Sequence, residues 1–418
     1  MQQTGTGTVA VIGAGLVGLC TAYALRRAGH AVRLFDPEPP GSPQQCSYGN
    51  AGALSSRSVA PLAMPGVMRS ALPMLLDSSS PLHVPPNYWL KAAPWLARFV
   101  HSARPRRVAE IASALDRLLG GSVAAHAALA SEVGVPDLVR TTGQLHVYPD
   151  ARSYAGDAGS WALKREHGLR IETVDADAIR QLEPAVRKDY TTGVLLPDEG
   201  WLANPGRYAQ AIAAALRDMD VGTVPARIEA LRREADGWSL VGGGHVWSCE
   251  QVIVCAGAWS RALLAPLGHD VPLETQRGYH LQVRDSGVEL SRLVVIADRK
   301  VYCMPGEQGL RIAGTVEFGG LERPPNHRRA MMLADHARAG FEGVRMNEPE
   351  VWMGHRPCLP DSLPVIGPVP GLRGLWCAFG HGHLGLTGSV NTGALMVRAL
   401  AGHAASSELA PFAVDRFR

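Results

Sequence analysis

The stretch that decides the fold runs from Val9 to Asp36 and reads VAVIGAGLVGLCTAYALRRAGHAVRLFD. It begins with the apolar run Val9–Ile12, which is typical of a buried β-strand, and passes through three glycines into a helical pattern that ends at Arg27. A second strand pattern follows at Ala31–Phe35, with Asp36 at its end. This order of strand, glycine turn, helix, strand and acid is the complete fingerprint of a dinucleotide-binding βαβ unit.

Each glycine of the turn has a separate task. Gly13 permits the tight turn, Gly15 lets the backbone approach a pyrophosphate, and Gly18 lets helix and strand pack closely. The helix N-terminus offers unpaired N–H groups and a partial positive charge to phosphates, and Asp36 is placed to accept hydrogen bonds from ribose hydroxyls. The unit therefore predicts cofactor contacts at Gly13, Ala14, Gly15, Leu16, Val17, Gly18 and Asp36.

The chain that follows this unit separates FAD from a nicotinamide cofactor. Nicotinamide enzymes often continue with further alternating strands and helices, whereas here a second turn of small residues, Ser47-Tyr48-Gly49-Asn50-Ala51-Gly52, leads into irregular, proline-rich chain. This departure favours FAD. It adds Ser47, Gly49, Asn50, Ala51 and Gly52 to the predicted cofactor contacts.

Length and composition set the class of protein. The 418 residues exceed one typical core, so we expect two domains, and a hydrophobic fraction of 46% with 19% charged residues is typical of globular chains. The formal charge is +3 without a run of Lys and Arg, so a nucleic acid partner is not expected. No stretch approaches ~20 uninterrupted apolar residues, and the N-terminus lacks a signal-peptide pattern, so the expectation is a soluble chain made in the cytoplasm.

The seven cysteines form no C-x-x-C pair, which disfavours a zinc ribbon and a disulfide framework. We predict no metal site.

The motifs along the chain, in this order, resemble those of the D-amino acid oxidase and glycine oxidase superfamily of flavin oxidoreductases, most closely the bacterial D-amino acid dehydrogenases. The resemblance covers essentially the whole chain. Besides the N-terminal unit, it rests on CSYGNAG, PGVMRSALPMLLDSSSPLHVPP, GWLANPGRYAQAIAAAL, QVIVCAGAWS, QRGYHLQV, LRIAGTVEFGG, GHRPCLPDSLPVIGP and AFGHGHLGLTGSVNTG.

The resemblance implies an α/β chain, α+β overall. It combines a Rossmann-like FAD-binding domain of the glutathione-reductase type with a substrate domain built on an antiparallel sheet. The FAD-binding domain is expected from residues 1–60, 201–260 and 350–418, and the substrate domain from 61–200 and 261–349. Runs such as Gly143–Tyr148 and Gly278–Arg284 are expected to be strands of that sheet.

The resemblance also implies further cofactor contacts. The strand Val252–Val254 and the small turn after it lie along the FAD in this family, which marks Ala256, Gly257 and Trp259, and Ile228 falls where an aliphatic residue meets the adenine. Cys358 stands at a different offset from the cysteine that attaches FAD in some sarcosine oxidases, so noncovalent FAD is expected.

The C-terminal stretch GHGHLGLTG, residues 380–388, follows the apolar strand Leu375–Phe379 and precedes a helical pattern from Val390 to Ala401. A second helix N-terminus aimed at the flavin would stabilise the negative charge of the reduced ring. The cofactor contacts expected here are Gly380, Gly382, Leu384, Gly385 and Thr387.

Two histidines of this loop, His381 and His383, lack the further ligands that a metal needs. One is expected to face the substrate and the other to make a structural hydrogen bond, and the sequence does not rank them. More familiar dehydrogenases read GHGTLGWT here, whereas GHGHLGLT is more similar to proline-type and hydroxyproline-type members.

The substrate side centres on Arg356, which occupies the carboxylate-binding position of the family motif G-x-R-P-x-x-P-D. A planar guanidinium can make two parallel bonds to a carboxylate. From local sequence alone, a surface ion pair between Arg356 and Asp361 is the alternative. Tyr279, which alternates with His280 along a strand pattern, and Tyr302 are the remaining pocket candidates, with cross-strand packing as the alternative for Tyr279.

The activity implied is dehydrogenation of D-amino acids at the α-carbon, including cyclic ones such as D-proline, by hydride transfer to FAD and then to a quinone or other respiratory acceptor. An oxygen-using oxidase of glycine, sarcosine or other secondary amines is the alternative, and a non-catalytic FAD-binding redox sensor is the third hypothesis. Aromatic residues beside arginines in 59–107 suit a peripheral contact with the cytoplasmic face of the inner membrane, and packing of the substrate domain or a contact between subunits is the alternative. The oligomeric state stays open.

Overall fold

The structure is a computed structural model that describes residues 8–66 and 82–417. The helices are α1 (Leu16–Arg27), α2 (Trp89–Ser102), α3 (Pro105–Leu119), α4 (Ser122–Glu132), α5 (Ala151–Gly156), α6 (Ala158–Glu166), α7 (Ala176–Leu182), α8 (Pro205–Asp218), α9 (Ser260–Leu264), α10 (His327–Gly340), α11 (Gly385–Leu400) and α12 (Ser406–Leu409). The strands are β1 (Thr8–Ile12), β2 (Ala31–Asp36), β3 (Ala53–Leu54), β4 (Leu82–His83), β5 (Val139–Arg140), β6 (Gln144–Tyr148), β7 (Glu172–Asp175), β8 (Thr192–Leu196), β9 (Gly200–Leu202), β10 (Thr223–Pro225), β11 (Ala230–Glu234), β12 (Gly237–Gly242), β13 (His245–Cys249), β14 (Gln251–Val254), β15 (Glu274–Val283), β16 (Leu293–Ile296), β17 (Val301–Gly306), β18 (Gly309–Ala313), β19 (Val316–Phe318), β20 (Glu350–Cys358), β21 (Val365–Pro368) and β22 (Leu375–Phe379).

The first sheet is assembled from distant parts of the chain in the order β10-β2-β1-β14-β22-β21. Its strands pair in parallel, except for β21, which is antiparallel to β22. Strands β1, β14 and β22 are nearly continuous apolar runs because helices cover one face of the sheet and a second layer covers the other. The predicted strands at Val9–Ile12, Ala31–Phe35 and Leu375–Phe379 are thus present.

Helices α1 and α11 pack against each other on one face of this sheet. Gly393 of α11 allows this approach, because a Cβ at that position would lie 2.6 Å from the Cys20 carbonyl oxygen of α1. The antiparallel strands β11, β12 and β13 cover the other face, where Trp238 and Leu240 share a core with Phe35. The predicted FAD-binding type of fold is therefore a three-layer arrangement of helices, parallel sheet and small antiparallel sheet.

The second sheet is larger and mostly antiparallel, in the order β4-β19-β15-β18-β17-β16-β6-β8-β7, with β20 paired to β15. Its outer face packs on helix α10 through a core that includes Leu281, Ile296 and Ile312. Its inner face lies over the first domain, since the Arg311 guanidinium donates 2.9 Å hydrogen bonds to the carbonyl oxygens of Tyr48 and Asn50.

Two segments lie elsewhere than the sequence-based division of the chain places them. Strand β20 pairs with β15 along its whole length, so residues 350–358 belong to the larger sheet and the return to the first domain comes after Cys358 rather than at residue 350. Helices α3 and α4, which we expected in the substrate domain, bury Ile111, Leu115 and Leu129 in the same core as α1. Their apolar periodicity identifies helices but not the partner they cover.

Candidate active site

The glycine turn between β1 and α1 leaves no room for side chains. Gly13 has φ +111°, and a Cβ there would lie 2.7 Å from the carbonyl carbon of Cys255 at the end of β14. A Cβ on Gly18 would overlap the Gly13 carbonyl oxygen. The backbone thus closes tightly around the N-terminus of α1, where Gly15 is the residue before the first helical turn.

Asp36 and Ser47 hold this turn from two sides. The Asp36 carboxylate accepts the backbone N–H of Ala14 at 2.6 Å and that of Glu38 at 2.8 Å, and burial raises its pKa. The Ser47 hydroxyl accepts the N–H of Leu16 at 2.9 Å. Each Asp36 oxygen keeps a second acceptor site for a ribose hydroxyl.

The turn containing Ser47, Gly49 and Asn50 is held beneath the inner face of the larger sheet. Residue 49 has to be glycine because a Cβ there would overlap the Trp352 indole. The Gly49 carbonyl oxygen is 3.1 Å from Nδ1 of His280. Trp352 and His280 stack with centroids 4.9 Å apart. The Asn50 side chain accepts the N–H of Gly52 at 2.8 Å, and Ala51, between them, is half-buried.

The C-terminal loop is a strand, a glycine turn and a helix, but the helix begins earlier than expected, at Gly385 rather than Val390, after one turn of 3-10 helix over Gly382–Leu384. Gly380 has φ +85° and Gly382 has φ +57°, conformations that favour glycine. Leu384 packs in the core, and the Thr387 hydroxyl bonds the Ala53 carbonyl oxygen at 3.2 Å. The loop and the first helical turn are thereby joined to the segment that follows the CSYGNAG turn.

The structure distinguishes the two histidines of this loop. His381 is buried, and its Nε2 is 2.9 Å from the Thr392 hydroxyl of α11, so it is the structural one. His383, by contrast, keeps an exposed side chain. Burial and the charges of Arg356 and Lys164 lower the pKa of His383 to about 4, so its imidazole is neutral at physiological pH.

The remaining cofactor candidates lie at the ends of the first sheet. Ala256 and Gly257 follow β14 beside the glycine turn, and Gly257 has φ +55°. Trp259 is half-exposed and meets the His355 ring edge-on at 5.6 Å. Ile228 is buried in the core shared with Phe35, close to the end of β2.

Arg356 is a partly buried cation whose guanidinium lies over the backbone of Gly278, where a Cβ would overlap it. It donates one hydrogen bond, of 2.9 Å, to the Thr315 carbonyl oxygen. Within residues 8–66 and 82–417 no carboxylate pairs with it, because Asp361 is bound by Arg107 and Arg416. The ion pair with Asp361 that local sequence offered as an alternative is absent from this part of the chain.

Side chains that share the inner face of the larger sheet define the site around Arg356. Cross-strand partners point to the same face, and the register His146–Val295–Tyr302–Ala313–His280–Trp352 runs straight across six strands. Tyr302 and Cys46 lie deep in the protein and still keep accessible surface, as His383 does. These side chains keep accessible surface on this face, and the space that they border, between the sheet and the two turns, is called the cavity below.

Tyr279 is not in this cavity. It alternates with His280 as expected, but it points to the outer face, where its hydroxyl is 2.6 Å from Glu317 Oε2 and accepts the N–H of Asn326 at 2.9 Å. The structure therefore separates Tyr279 from Arg356, and we do not assign it to the substrate. Gly278 and His280, on either side of Tyr279, lie on the inner face instead.

Sequence reasoning missed several residues of the inner face. Trp352 and His280 line it, and Arg311 joins it to the FAD-binding domain. Lys164 on helix α6 lies over the Trp161 ring, which meets His146 of this face. The strand period could have found Trp352, since it lies two and four residues before Gly354 and Arg356 on the same face. No local signal marks Lys164.

The residues present fit FAD. A glycine cradle at a helix N-terminus, an acid at the end of β2, a second small-residue turn and a third glycine turn surround one internal cavity. Fold and site together define a dinucleotide-binding flavoprotein.

Comparison with known proteins identifies the family. The model of the FAD dependent oxidoreductase family (DAO) matches residues 8–399, and the chain belongs to this family. A D-amino-acid oxidase from Bradyrhizobium diazoefficiens is 39% identical over 98% of both chains, and a D-amino acid dehydrogenase from Paramagnetospirillum magneticum is 31% identical over 98% of both. Glycine oxidase from Geobacillus kaustophilus has a similar fold, with a TM-score of 0.75 at 22% identity over 98% of this chain and 99% of that one. The cofactor is FAD.

Proposed function

We propose that this protein dehydrogenates D-amino acids at the α-carbon. The observation that carries the proposal is Arg356, a partly buried guanidinium over Gly278 on the inner face of the larger sheet, whose partner among the described residues is a backbone carbonyl. Such a cation is suited to an anionic ligand, and an amino acid supplies a carboxylate. A redox sensor without a substrate would not need this group.

The protein residues orient the substrate. Arg356 binds the α-carboxylate, Gly278 gives the guanidinium its place on β15, and the Thr315 carbonyl oxygen fixes its rotation. Tyr302 supplies a hydroxyl on the same face, for which the described residues offer no hydrogen-bond partner. Bound FAD supplies the acceptor for the hydride from the α-carbon. The resulting imino acid is hydrolysed by water to a 2-oxo acid and ammonia.

The site needs no strong general base, provided that the amine binds in its neutral form. His383 is neutral at physiological pH and lies near two cations, so it adds no further positive charge beside the substrate amine. The chain then contributes orientation and electrostatics, which is the usual division of work in cofactor enzymes.

We infer a quinone or another respiratory acceptor for the electrons, at the cytoplasmic face of the inner membrane. A cleft of about 710 Å³ beside α2 is lined by Arg98, Arg104, Arg106, Arg107 and Arg416. Glu110 and Asp361 also line it and pair with Arg106, Arg107 and Arg416, so Arg98 and Arg104 are its arginines without a carboxylate partner among the described residues. Nearby on α2, Leu90 is 91% exposed and Trp89 39%. Cationic side chains beside exposed apolar ones suit an anionic bilayer surface. No helix of the described chain is long and apolar enough to cross a membrane.

Part of this membrane contact falls on residues that the structure does not describe. Val67, Met68, Leu72, Met74 and Leu75 lie outside the described residues. The test is cosedimentation of the holoprotein with vesicles of phosphatidylcholine and of phosphatidylglycerol. Binding to the anionic vesicles that high salt reverses supports the proposal, and equal recovery with both vesicles contradicts it.

The activity itself is tested by product analysis. Purified holoprotein is incubated with D-alanine, D-proline, glycine and sarcosine, each in air and with a quinone analogue under nitrogen, and 2-oxo acid, imine and ammonia are quantified. Product from D-amino acids that depends on the quinone supports the dehydrogenase. Fast oxygen consumption with glycine or sarcosine would assign the oxidase alternative, and no product from any amine would refute the proposed function.

A further inference from the structure

The crossing from β18 to β19 contains a β-bulge opposite the middle of β15. The pairing of β15 with β18 begins at His280–Ala313, and its pairing with β19 ends at Arg277–Glu317. Two residues of β15 therefore oppose three residues, 314–316, of the neighbouring segment. An extra residue in one strand of a pair bends that strand and changes the direction of its polar groups.

Thr315 is the central residue of this bulge, and it is buried. Its hydroxyl accepts the backbone N–H of Tyr279 at 3.3 Å, at the point where the strand pairing on this side of β15 is interrupted. Its carbonyl oxygen accepts a hydrogen bond from Nη1 of Arg356 at 2.9 Å. Thr315 thus connects the backbone of β15 to the guanidinium on the inner face.

Tyr279 is held in place from the outer face of the same sheet. Its hydroxyl donates to Glu317 Oε2 at 2.6 Å and accepts the N–H of Asn326 at 2.9 Å. Glu317 is also 3.4 Å from Nη1 of Arg277, and both of these side chains are buried. The motif tyrosine that does not reach the cavity therefore fixes the part of β15 to which the Thr315 hydroxyl bonds.

The direction of the Thr315 carbonyl matters for the Arg356 guanidinium. Among the described residues, this carbonyl is the hydrogen-bond partner of the guanidinium, and Gly278 leaves the room in which the guanidinium lies. A carboxylate accepts two parallel bonds from a guanidinium only when the planar fork points at it. A bulge that turned the carbonyl away would leave the fork free to rotate.

We propose that Thr315 is a positioning residue for the substrate-binding arginine. The bond between its hydroxyl and the Tyr279 N–H fixes the bulge, and the bulge directs the Thr315 carbonyl oxygen at Arg356. This inference rests on the proposed function, in which Arg356 binds the α-carboxylate. Thr315 acts on the substrate through the guanidinium alone.

The test compares Thr315→Val, which keeps nearly the same shape but loses the hydroxyl, with Thr315→Ser, which keeps it. KM and kcat for D-alanine are measured on holoprotein matched for flavin content. The Kd of propionate, a carboxylate without an amine, is followed through the flavin absorbance. In Thr315→Val, KM and Kd should rise about 3- to 10-fold, the range for one hydrogen bond, while kcat changes by less than about twofold.

Two controls accompany these variants. Thr315→Ser should keep the wild-type constants. Thr191→Val should keep them too, because it loses a 2.7 Å hydroxyl bond to the Pro149 carbonyl oxygen, beside β8 on the other side of the same sheet. If Thr315→Val yields no holoprotein, Thr315→Ala, which also lacks the hydroxyl, takes its place.

A double-mutant cycle with Arg356→Ala separates positioning from a general structural effect. Because Thr315 acts through Arg356, Thr315→Val should change neither KM nor the propionate Kd further when Arg356 is already alanine. An equal effect of Thr315→Val in both backgrounds would refute the proposal. So would equal losses in Thr315→Val and Thr315→Ser.

The outcomes are separable from those of the proposed function. If D-alanine reduces the flavin and Thr315→Val keeps the wild-type KM and Kd, the role of Thr315 is refuted and the proposed function stands. If no D-amino acid reduces the flavin but propionate binds, the proposed function fails, and the propionate Kd values still decide whether Thr315 positions Arg356. If propionate does not bind either, both fail.

Discussion

Among single residues, Arg356 is the one on which the proposed binding of the substrate carboxylate depends most. Replacing it by Ala removes the guanidinium that faces the cavity, and replacing it by Lys keeps the charge but not the planar fork. We predict that Arg356→Ala raises KM for D-amino acids by about 100-fold, which corresponds to a lost charge-assisted pair of about 3 kcal/mol. Arg356→Lys should give an intermediate KM.

The control for this prediction is Arg233→Ala, since Arg233 is exposed and bonds the Gly371 carbonyl oxygen away from the cavity. Steady-state kinetics on variants matched for flavin content provides the measurement. An unchanged KM in Arg356→Ala would remove this residue from the site.

Substitutions of the two loop histidines should differ in their effects on stability and on kinetics. His381→Leu leaves the buried Thr392 hydroxyl without its partner and should lower the free energy of unfolding by about 1–3 kcal/mol. His383→Gln acts on a side chain that faces the cavity and should change KM or kcat with little loss of stability. Urea denaturation and steady-state kinetics on both variants check this, and the reverse pattern would exchange the two roles.

The strand pair β15–β20 positions Arg356, the proposed carboxylate-binding residue. A Cβ at Gly278 would overlap the Arg356 guanidinium, whereas the backbone of β15 there can accept alanine. Gly278→Ala should therefore raise KM for D-amino acids while the protein still purifies with FAD. Loss of FAD with unchanged KM in the remaining holoenzyme would show that Gly278 has another role.

A substitution in the turn between β1 and α1 should impair flavin binding, in contrast to Gly278→Ala. Gly18→Ala places a methyl group against the Gly13 carbonyl oxygen, so we predict a protein that purifies largely without flavin. Gly29→Ala is the matched control in the same βαβ unit. Gly29 has φ +92° with open space around it, so its replacement costs about 1–2 kcal/mol of stability and leaves the flavin bound. Flavin-to-protein absorbance ratios report the difference.

Among the helices and strands, the sequence predicts those whose formation depends on residues close together in the chain. The strand and helix of the glycine turn, β6, β15 and β22 follow from apolar periodicity and glycine positions. The partner of β20 does not, because its pairing with β15 joins residues about 80 positions apart, as in the Thr275–His355 contact. The start of α11 was placed too late because four glycines obscured the first turn of the helix.

For the molecule as a whole, buried neutral histidines should control stability in acid. Burial lowers the pKa of His126 to about 4 and those of His146, His280 and His381 to about 3, below the unfolded value near 6.5. The unfolded chain then binds more protons, so stability is complete above about pH 6.5 and falls as pH decreases towards the folded pKa values. Each histidine contributes up to about 1.4 kcal/mol per pH unit in this window.

We therefore expect urea denaturation of the holoprotein to show a steep decrease in unfolding free energy from about pH 7 to about pH 5. The slope should be smaller in His381→Leu, which lacks one of these groups. A pH-independent unfolding free energy across this range would contradict the assignment of neutral, buried histidines.

In the molecule as a whole, the sequence predicts site residues mainly where they belong to a recognisable motif. The glycine turns and Arg356 are motif residues, whereas Tyr302 is a weaker candidate outside the motifs and lies on the inner face through the register of β17. Tyr279 is a motif residue too, yet the face it occupies depends on the register of β15, and Glu317 binds its hydroxyl. Lys164 comes from a helix that only the folded chain brings to the inner face.

The most direct test of the central claim is anaerobic mixing of the purified holoprotein with the two enantiomers of alanine while the visible absorbance of the oxidised flavin is followed. We predict rapid, complete bleaching by D-alanine, little change with L-alanine, and saturation at far higher concentration in Arg356→Ala. Bleaching by L-alanine at an equal rate, or by neither enantiomer nor any other D-amino acid, would contradict it.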